Sequence, residues 1–148
     1  MFSDVLPPEG KTENGVYAFP IRVYYEDTDA GGIVYYANYL KFSERVRTEF
    51  LRMLNIHQQE NINKDKTAFV VRSCRADYLG SAFLDDALVV TCRVTEVGAA
   101  SAVIYQEIRR GDELLTTIET KVIHLNLETR KPTRIPTYML EAFKKYMV

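Results

Sequence analysis

The strongest constraint on the fold is one long amphipathic helix in the first half of the chain. From about residue 38 onward, apolar residues recur three or four positions apart, at Tyr39, Phe42, Val46, Phe50 and Leu54. Charged residues fall mostly between these positions, which predicts a helix with a single buried face. The rest of the chain must therefore supply a surface that covers this face.

The segments on either side of this helix favour strands. Ile21 to Tyr25, just before the helix, is rich in β-branched and aromatic residues. Four longer strands are predicted after it, at 68–78, 87–97, 101–109 and 113–125. Gly98 and the Gly111-Asp112 pair are typical of hairpin turns between antiparallel strands. This order predicts an α+β fold, in which a curved antiparallel sheet of about five strands wraps around one long central helix.

Length and composition indicate one domain. The chain has 148 residues, of which 47% are apolar, and this is enough for a core. Residues 1–16 contain Pro7, Pro8 and two glycines among charges, which predicts an irregular N-terminal arm before a domain at 17–148. A short closing helix is predicted over 137–147, after Pro136. Cys74 and Cys92 form no C-x-x-C pair, and we expect both to be buried, reduced thiols.

Charge and hydropathy exclude several classes of partner. The formal net charge of -1 gives no overall attraction to nucleic acid or to an anionic membrane. No apolar run approaches the roughly 18 residues that span a bilayer. The first ten residues have neither a basic region nor a hydrophobic region of a signal peptide. We expect a cytoplasmic protein with no nucleic-acid partner and no stable membrane insertion.

A carboxylate, a glycine pair and a helix start follow one another between residues 26 and 38. Asp29 precedes Gly31 and Gly32, which allow a tight turn or a close approach to a ligand. The first turn of a helix has unpaired backbone N–H groups and a partial positive charge, so it can stabilise an oxyanion. Asp29 is also suited to an Asx turn before glycine, which is a purely structural role.

Three motifs carry a resemblance to a known family. They are Y-Y-E-D-T-D-A-G-G-I-V-Y at 24–35, E-R-V-R-T-E at 44–49 and L-D-D at 84–86. The chain resembles the hotdog-fold acyl-CoA thioesterases of the 4-hydroxybenzoyl-CoA thioesterase family over residues 17 to 145. It is most similar to the branch associated with the bacterial Tol-Pal envelope system. The resemblance implies a hotdog fold, hydrolysis of acyl-CoA thioesters, and a homodimer or homotetramer with active sites between subunits.

The resemblance also implies roles for three residues near the helix start. Asp29 would act as nucleophile, through a mixed anhydride, or as general base for water. Tyr36 would supply a backbone N–H to the oxyanion, and its phenol could contact the acyl group, or its ring could pack under the helix. Members of the Tol-Pal branch often have histidine at this position, so the tyrosine is a departure that disfavours an imidazole mechanism. Tyr25 would orient the carboxylate or the acyl chain, or pack in the core.

Nearby acidic residues have structural alternatives. Asp27 would bond backbone amides, or raise the pKa of a neighbouring carboxylate. Glu44 matches a helical base that a different hotdog branch uses, but here it is expected to form ion pairs with Arg47 on the helix surface.

Binding of coenzyme A is expected along one predicted strand. The family comparison favours Phe69, Val70, Val71 and Arg72 for the pantetheine arm, and Arg75 is a candidate for phosphate contact. Arg109, Arg110, Arg130, Lys131 and Arg134 are further candidates. His57 and His124 have no partner at metal-ligand spacing, so no metal site is predicted. No cofactor is expected, since coenzyme A is part of the substrate.

Two other functions remain as alternatives to the enzyme. One is a non-catalytic acyl-CoA-binding hotdog protein, which would need an appended DNA-binding segment to act as a regulator. The other is a hotdog dehydratase acting on acyl carrier protein, which needs a histidine in the site. Neither His57 nor His124 lies in the 29–38 region, which disfavours the dehydratase. Acyl carrier protein is also an alternative carrier for a thioesterase.

Overall fold

The computed structural model describes residues 1–147 as a mixed α+β structure. In this range the strands are β1 (Lys11–Glu13), β2 (Val16–Arg22), β3 (Thr67–Tyr78), β4 (Ala87–Val97), β5 (Ser101–Arg110), β6 (Glu113–Asn126) and β7 (Lys131–Pro132). The helices are α1 (Tyr36–Met53), α2 (Gln58–Glu60) and α3 (Thr137–Lys144). The long helix and the five long strands match the predicted order.

All strand pairs in the sheet are antiparallel, in the order β1-β2-β4-β5-β6-β3, with β7 also paired to β6. The β5–β6 hairpin turns at Gly111, whose φ of 58° is readily adopted only by glycine or a few polar residues. The last strand in the order, β3, has β6 on one side, and its other edge is free within the described chain. This free edge is twelve residues long.

The core lies between α1 and one face of the sheet, which we call the inner face. Strand residues alternate, so that β2 buries Tyr17, Phe19 and Ile21 while Pro20 and Arg22 are exposed. Helix α1 buries Phe42, Val46 and Phe50 against this face, as its sequence pattern predicts. The helix contacts β2, β4 and β6, and packs less closely on β3.

The predicted strand at Ile21–Tyr25 is wrong in its second half. Strand β2 ends at Arg22, and Tyr25–Asp27 form a 3₁₀ turn. The turn closes because the Asp27 carboxylate accepts the Tyr24 N–H at 2.8 Å and the Asp27 N–H donates to the Tyr24 carbonyl at 3.0 Å. Tyr25 is therefore on the surface and 83% exposed, so its packing in the core is ruled out for the single chain.

Two smaller expectations also differ from the structure. Residues 11–13 of the predicted irregular arm form β1, which pairs with β2. Cys92 is buried as expected, but Cys74 is exposed, because it lies on the uncovered part of the inner face at β3.

Candidate active site

Residues 27–35 form a tight loop that leads directly into α1. The Asp29 N–H donates to the Ile33 carbonyl at 2.9 Å, and the Tyr35 N–H donates to the Asp27 carbonyl at 3.0 Å. These two bonds close the loop just before α1 begins. Asp29 therefore lies in the turn that immediately precedes the helix.

The Asp29 carboxylate is oriented by its own loop. Its Oδ1 accepts the Gly31 N–H at 2.9 Å, which is the Asx turn considered from the sequence. A Cβ at Gly31 would lie 3.4 Å from this oxygen, and Gly32 has a φ of 77°. Asp29 is exposed, and no bond to its Oδ2 is found among the described residues. One oxygen is therefore fixed while the other can act on a ligand.

The N-terminus of α1 offers free backbone donors. The N–H groups of Tyr36 and Ala37 have no acceptor within residues 1–147, and the helix has no side-chain cap. The Asn38 N–H is already bonded to the Tyr35 carbonyl at 2.8 Å. These two free donors and the helix dipole suit a negatively charged oxygen.

Asp27 has a structural role. It bonds a backbone amide, which is one of the two alternatives predicted for it. It is 8% exposed, and its two oxygens accept bonds from the Tyr24 N–H and, at 3.0 Å, from Asn38 Nδ2. The carboxylate therefore ties the 3₁₀ turn to the first turn of α1. Asn38 was not predicted as a contributor, although a polar residue in the first turn of an apolar helix face is a signal for one.

A second loop, residues 82–86, holds the Asp29 loop from the other side. The Val34 N–H donates to the Ala82 carbonyl at 2.9 Å, and Ile33 pairs with Phe83 as an isolated β-bridge. The Tyr39 hydroxyl accepts the Ala82 N–H at 2.9 Å. The L-D-D motif belongs to this supporting loop.

Asp86 fixes the supporting loop. Its Oδ2 accepts the Phe83 N–H at 2.9 Å and pairs with Arg110 Nη1 at 2.7 Å. Burial raises the pKa of Asp86, but the bonds from Phe83 and Arg110 outweigh it and hold that pKa below its usual value of 3.8. Arg110, predicted as a phosphate contact, pairs here with Asp86 and with Glu113.

The aromatic side chains at the helix start form an exposed cluster. Tyr36 is 60% exposed, and its ring centroid lies 4.9 Å from that of Tyr35 and 6.0 Å from that of Tyr78 on β3. Tyr36 is the first residue of α1, and Asp29 lies in the loop that leads into it. Tyr25 lies in the 3₁₀ turn that precedes them.

The residues predicted to bind coenzyme A lie along the edge strand β3. Val70, Val71, Arg72 and Arg75 are exposed, and Arg75 Nε is 3.7 Å from Asp77 Oδ2. Phe69 differs, since its ring packs on His124 at 4.9 Å and on Phe143 at 5.9 Å. Phe69 therefore faces the core.

The expected surface ion pair between Glu44 and Arg47 is absent from the described chain. Arg47 instead turns under α1 and bonds Ser43, Gln106 and Thr120. His124 is buried, with Nδ1 near the Thr133 and Arg134 carbonyls, far along the sheet from the helix start. Within residues 1–147 no group of three or more acidic, His or Cys side chains could hold a metal ion.

Comparison with known proteins identifies the family to which this site belongs. Residues 23–143 match the family model described as the Thioesterase-like superfamily. This chain belongs to the thioesterase-like superfamily. The predicted family is thereby confirmed, and the match includes the Asp29 loop, α1, the supporting loop and the four long strands that follow α1.

Relatives and solved structures agree with this assignment. The chain is 45% identical over 131 residues to the acyl-CoA thioesterase YbgC of Haemophilus influenzae, covering 88% of this chain and 96% of the relative. A solved probable thioesterase from Bartonella henselae is 34% identical with a TM-score of 0.77, covering 82% of this chain and 99% of that one. A 1,4-dihydroxy-2-naphthoyl-CoA thioesterase from Synechocystis, 23% identical, has a TM-score of 0.82 over 87% of this chain and 96% of its own. The similarity to the Synechocystis structure shows the fold alone. The predicted hotdog fold is confirmed.

None of the helices in residues 1–147 is both long and apolar enough to cross a membrane.

Proposed function

We propose that this chain hydrolyses acyl-CoA thioesters to a free acid and coenzyme A. One observation carries the proposal: an oriented carboxylate with an unbonded oxygen precedes a helix whose first two N–H groups are free. Membership of the thioesterase-like superfamily and the name of the Haemophilus influenzae relative, acyl-CoA thioesterase, support it.

The Tyr36 and Ala37 N–H groups bind the thioester carbonyl oxygen and stabilise the negative charge that forms when the carbonyl carbon is attacked. Asp29 acts at that carbon in one of two ways. As nucleophile, its Oδ2 forms a mixed anhydride and expels the coenzyme A thiolate, and water then hydrolyses the anhydride. As general base, it takes a proton from the attacking water. Either way the products are the acid and the thiol.

The acyl carrier is proposed to be coenzyme A, with its pantetheine arm along Val70, Val71 and Arg72 and with Arg75 near a phosphate. These residues lie on β3, and their side chains are exposed. Acyl carrier protein remains the alternative carrier. The protein is proposed to act in the cytoplasm, in association with the Tol-Pal system, and its unpaired Cys74 and Cys92 suit a reducing compartment. No cofactor is proposed.

Asp29→Asn tests the proposed reaction. The variant keeps the bond to the Gly31 N–H but loses the anionic nucleophile or base, so we expect kcat to fall about a hundredfold or more with little change in substrate binding. Thiol release from a panel of aliphatic and aromatic acyl-CoAs measures this. Glu26→Gln is the matched control, because Glu26 is an exposed carboxylate in the adjacent turn. Near-normal turnover of Asp29→Asn would remove Asp29 from the mechanism.

A further inference from the structure

Arg47 is a cation without a carboxylate partner in its own chain. Its Nη1 is 2.7 Å from Ser43 Oγ and 3.3 Å from both Gln106 Oε1 and Thr120 Oγ1. All three bonds use Nη1, so the Nε and Nη2 donors have no acceptor among residues 1–147. Burial lowers the pKa of Arg47, while the charge of Glu44 on the same helix acts in the opposite direction, and the guanidinium remains charged. A partly buried cation with unused donors is stabilised by an anion that hydrogen-bonds to it.

Arg47 lines a cleft of about 70 Å³ between α1 and the inner face near β3. The other residues at this cleft are Glu44, Thr48, Leu51, Gln58, Phe69, Val71, Ile104, Val122 and Phe143. Glu44 is exposed, and it forms no ion pair within the described chain. One surface therefore carries an unpaired cation and an unpaired carboxylate, three residues apart on the same helix.

Helix α1 and β3 run in opposite directions along this cleft. Tyr36 contacts Tyr78 at one end, and Leu51 and Phe69 line the cleft at the other. Arg47 lies between them, connected through Thr120 to Cys74. The middle of α1 therefore lies beside the middle of β3.

Antiparallel pairing of two copies through the free β3 edge would place a two-fold axis near the middle of that strand. The two α1 helices would then also be antiparallel, with their middle turns opposite one another. In a two-fold interface, a contact between residue i and residue j occurs twice, with the roles exchanged. A surface that carries both a cation and a carboxylate is suited to this arrangement.

We propose that Glu44 of a second copy enters the cleft and pairs with Arg47, while Glu44 of the first copy pairs with Arg47 of the second. The two ion pairs satisfy the free Arg47 donors and cover the exposed Cys74. The inference rests on the homo-oligomer that the family resemblance implies but not on the proposed reaction, because association is measured without turnover.

Charge reversal with mixing tests this pairing. Glu44→Arg places two cations together, and Arg47→Glu places two carboxylates together, so each variant alone should have a dimer dissociation constant at least about tenfold above wild type. Mixing the two variants in equal amounts restores opposite charges at both contacts, and the mixed dimer should associate nearly as tightly as wild type. Sedimentation velocity over a concentration series measures the three constants. Arg45→Glu makes the same charge change on the outer side of α1 and should leave association unchanged.

A mixed dimer no tighter than the single variants would overturn the proposal. Wild-type association of Glu44→Arg would also overturn it and leave the carboxylate of a ligand as the partner of Arg47. Arg47→Glu breaks three bonds under the helix, so circular dichroism melting checks that it folds. If Arg47→Glu does not fold, variants of the exposed Glu44 test the pairing instead. The dimer dissociation constant should rise from wild type through Glu44→Gln to Glu44→Arg. The same dissociation constant in all three proteins would overturn the pairing.

Discussion

The backbone N–H of Tyr36 is the smallest feature on which the proposed mechanism depends. It is the first N–H of α1, and it has no acceptor within the described chain. Every residue except proline supplies this backbone donor, so the proposed role does not depend on the tyrosine side chain. The phenol of Tyr36 is 60% exposed, and its hydrogen bond with the phenol of Tyr35 raises the pKa of Tyr35.

Variants at position 36 separate the backbone donor from the phenol. Tyr36→Phe and Tyr36→His keep the N–H, so we expect both to retain most of kcat/KM. Tyr36→Pro removes the N–H, and should lose about a hundredfold or more relative to Tyr36→Ala, as loss of one oxyanion donor does. Proline suits the first helical position, and Tyr35 already has the φ of -63° and ψ of 133° that a residue before proline needs.

Measuring kcat/KM of these four variants on one acyl-CoA shows whether the backbone N–H or the phenol is the donor. A large loss in Tyr36→Phe alone, about 3 kcal/mol of transition-state stabilisation, would mean that the phenol is the donor. Equal activity of the proline and alanine variants would contradict a role for the N–H.

At the residue scale, the sequence was informative where a contact is local. The Asx turn of Asp29 and the hydrogen bond from the Tyr24 N–H to Asp27 join residues within three positions of one another. The pairing of Arg47 with Glu44 was predicted wrongly, because Gln106 and Thr120 lie 59 and 73 positions away and offer acceptors under the helix. Only the fold brings those acceptors within reach.

At the scale of elements, the supporting loop 82–86 positions the Asp29 loop. Asp86 joins this loop to β5 through Arg110, so the ion pair connects the sheet to the candidate site. The pKa of Asp86 in the folded protein is lowered, so the pair stabilises the fold above the unfolded pKa. That stabilisation is lost as pH falls through the folded pKa.

Arg110→Met should therefore destabilise the protein at neutral pH more than in acid. We expect the difference in unfolding free energy between wild type and variant to shrink as pH falls below 3.8, because Asp86 becomes protonated in both proteins. Urea unfolding at neutral pH and at several acidic values measures it. A difference that stays constant down to about pH 2 would contradict this linkage.

Sequence periodicity located long elements better than short ones. The predicted 87–97 strand matches β4, and the ends of β3, β5 and β6 differ by one residue, because hairpin turns and alternation mark them. Helix α1 begins two residues before the predicted start, at Tyr36. The turn at Tyr25–Asp27 was missed, since β-branched and aromatic content indicated a strand while a side-chain bond from Asp27 closed the turn.

At the scale of the whole molecule, the exposed apolar surface indicates a larger assembly. Val71 and Tyr78 on β3 and Phe83 in the supporting loop are exposed, and Tyr78 contacts the exposed Tyr36. Together with a free strand edge of twelve residues, this is an unusual surface for a monomer.

We expect the protein to sediment as a dimer or larger species at micromolar concentration. Burial of the β3 edge supplies the driving force, because unpaired strand groups and apolar side chains are covered together. Sedimentation equilibrium combined with activity measurements checks this. An active species of 17.0 kDa under these conditions would contradict an obligate oligomer.

A β-bulge in β3 decides which side chains line the cleft. Val71 pairs with Val122 and Ser73 with Lys121, so Arg72 is an extra residue in the strand. Before it, Phe69 and Val71 face the helix, and after it Cys74 and Tyr78 do. Deletion of Arg72 alone would therefore restore regular alternation along β3 and leave Val71 and Cys74 facing the helix, so the same side chains would form the wall of the cleft on a strand without a bulge.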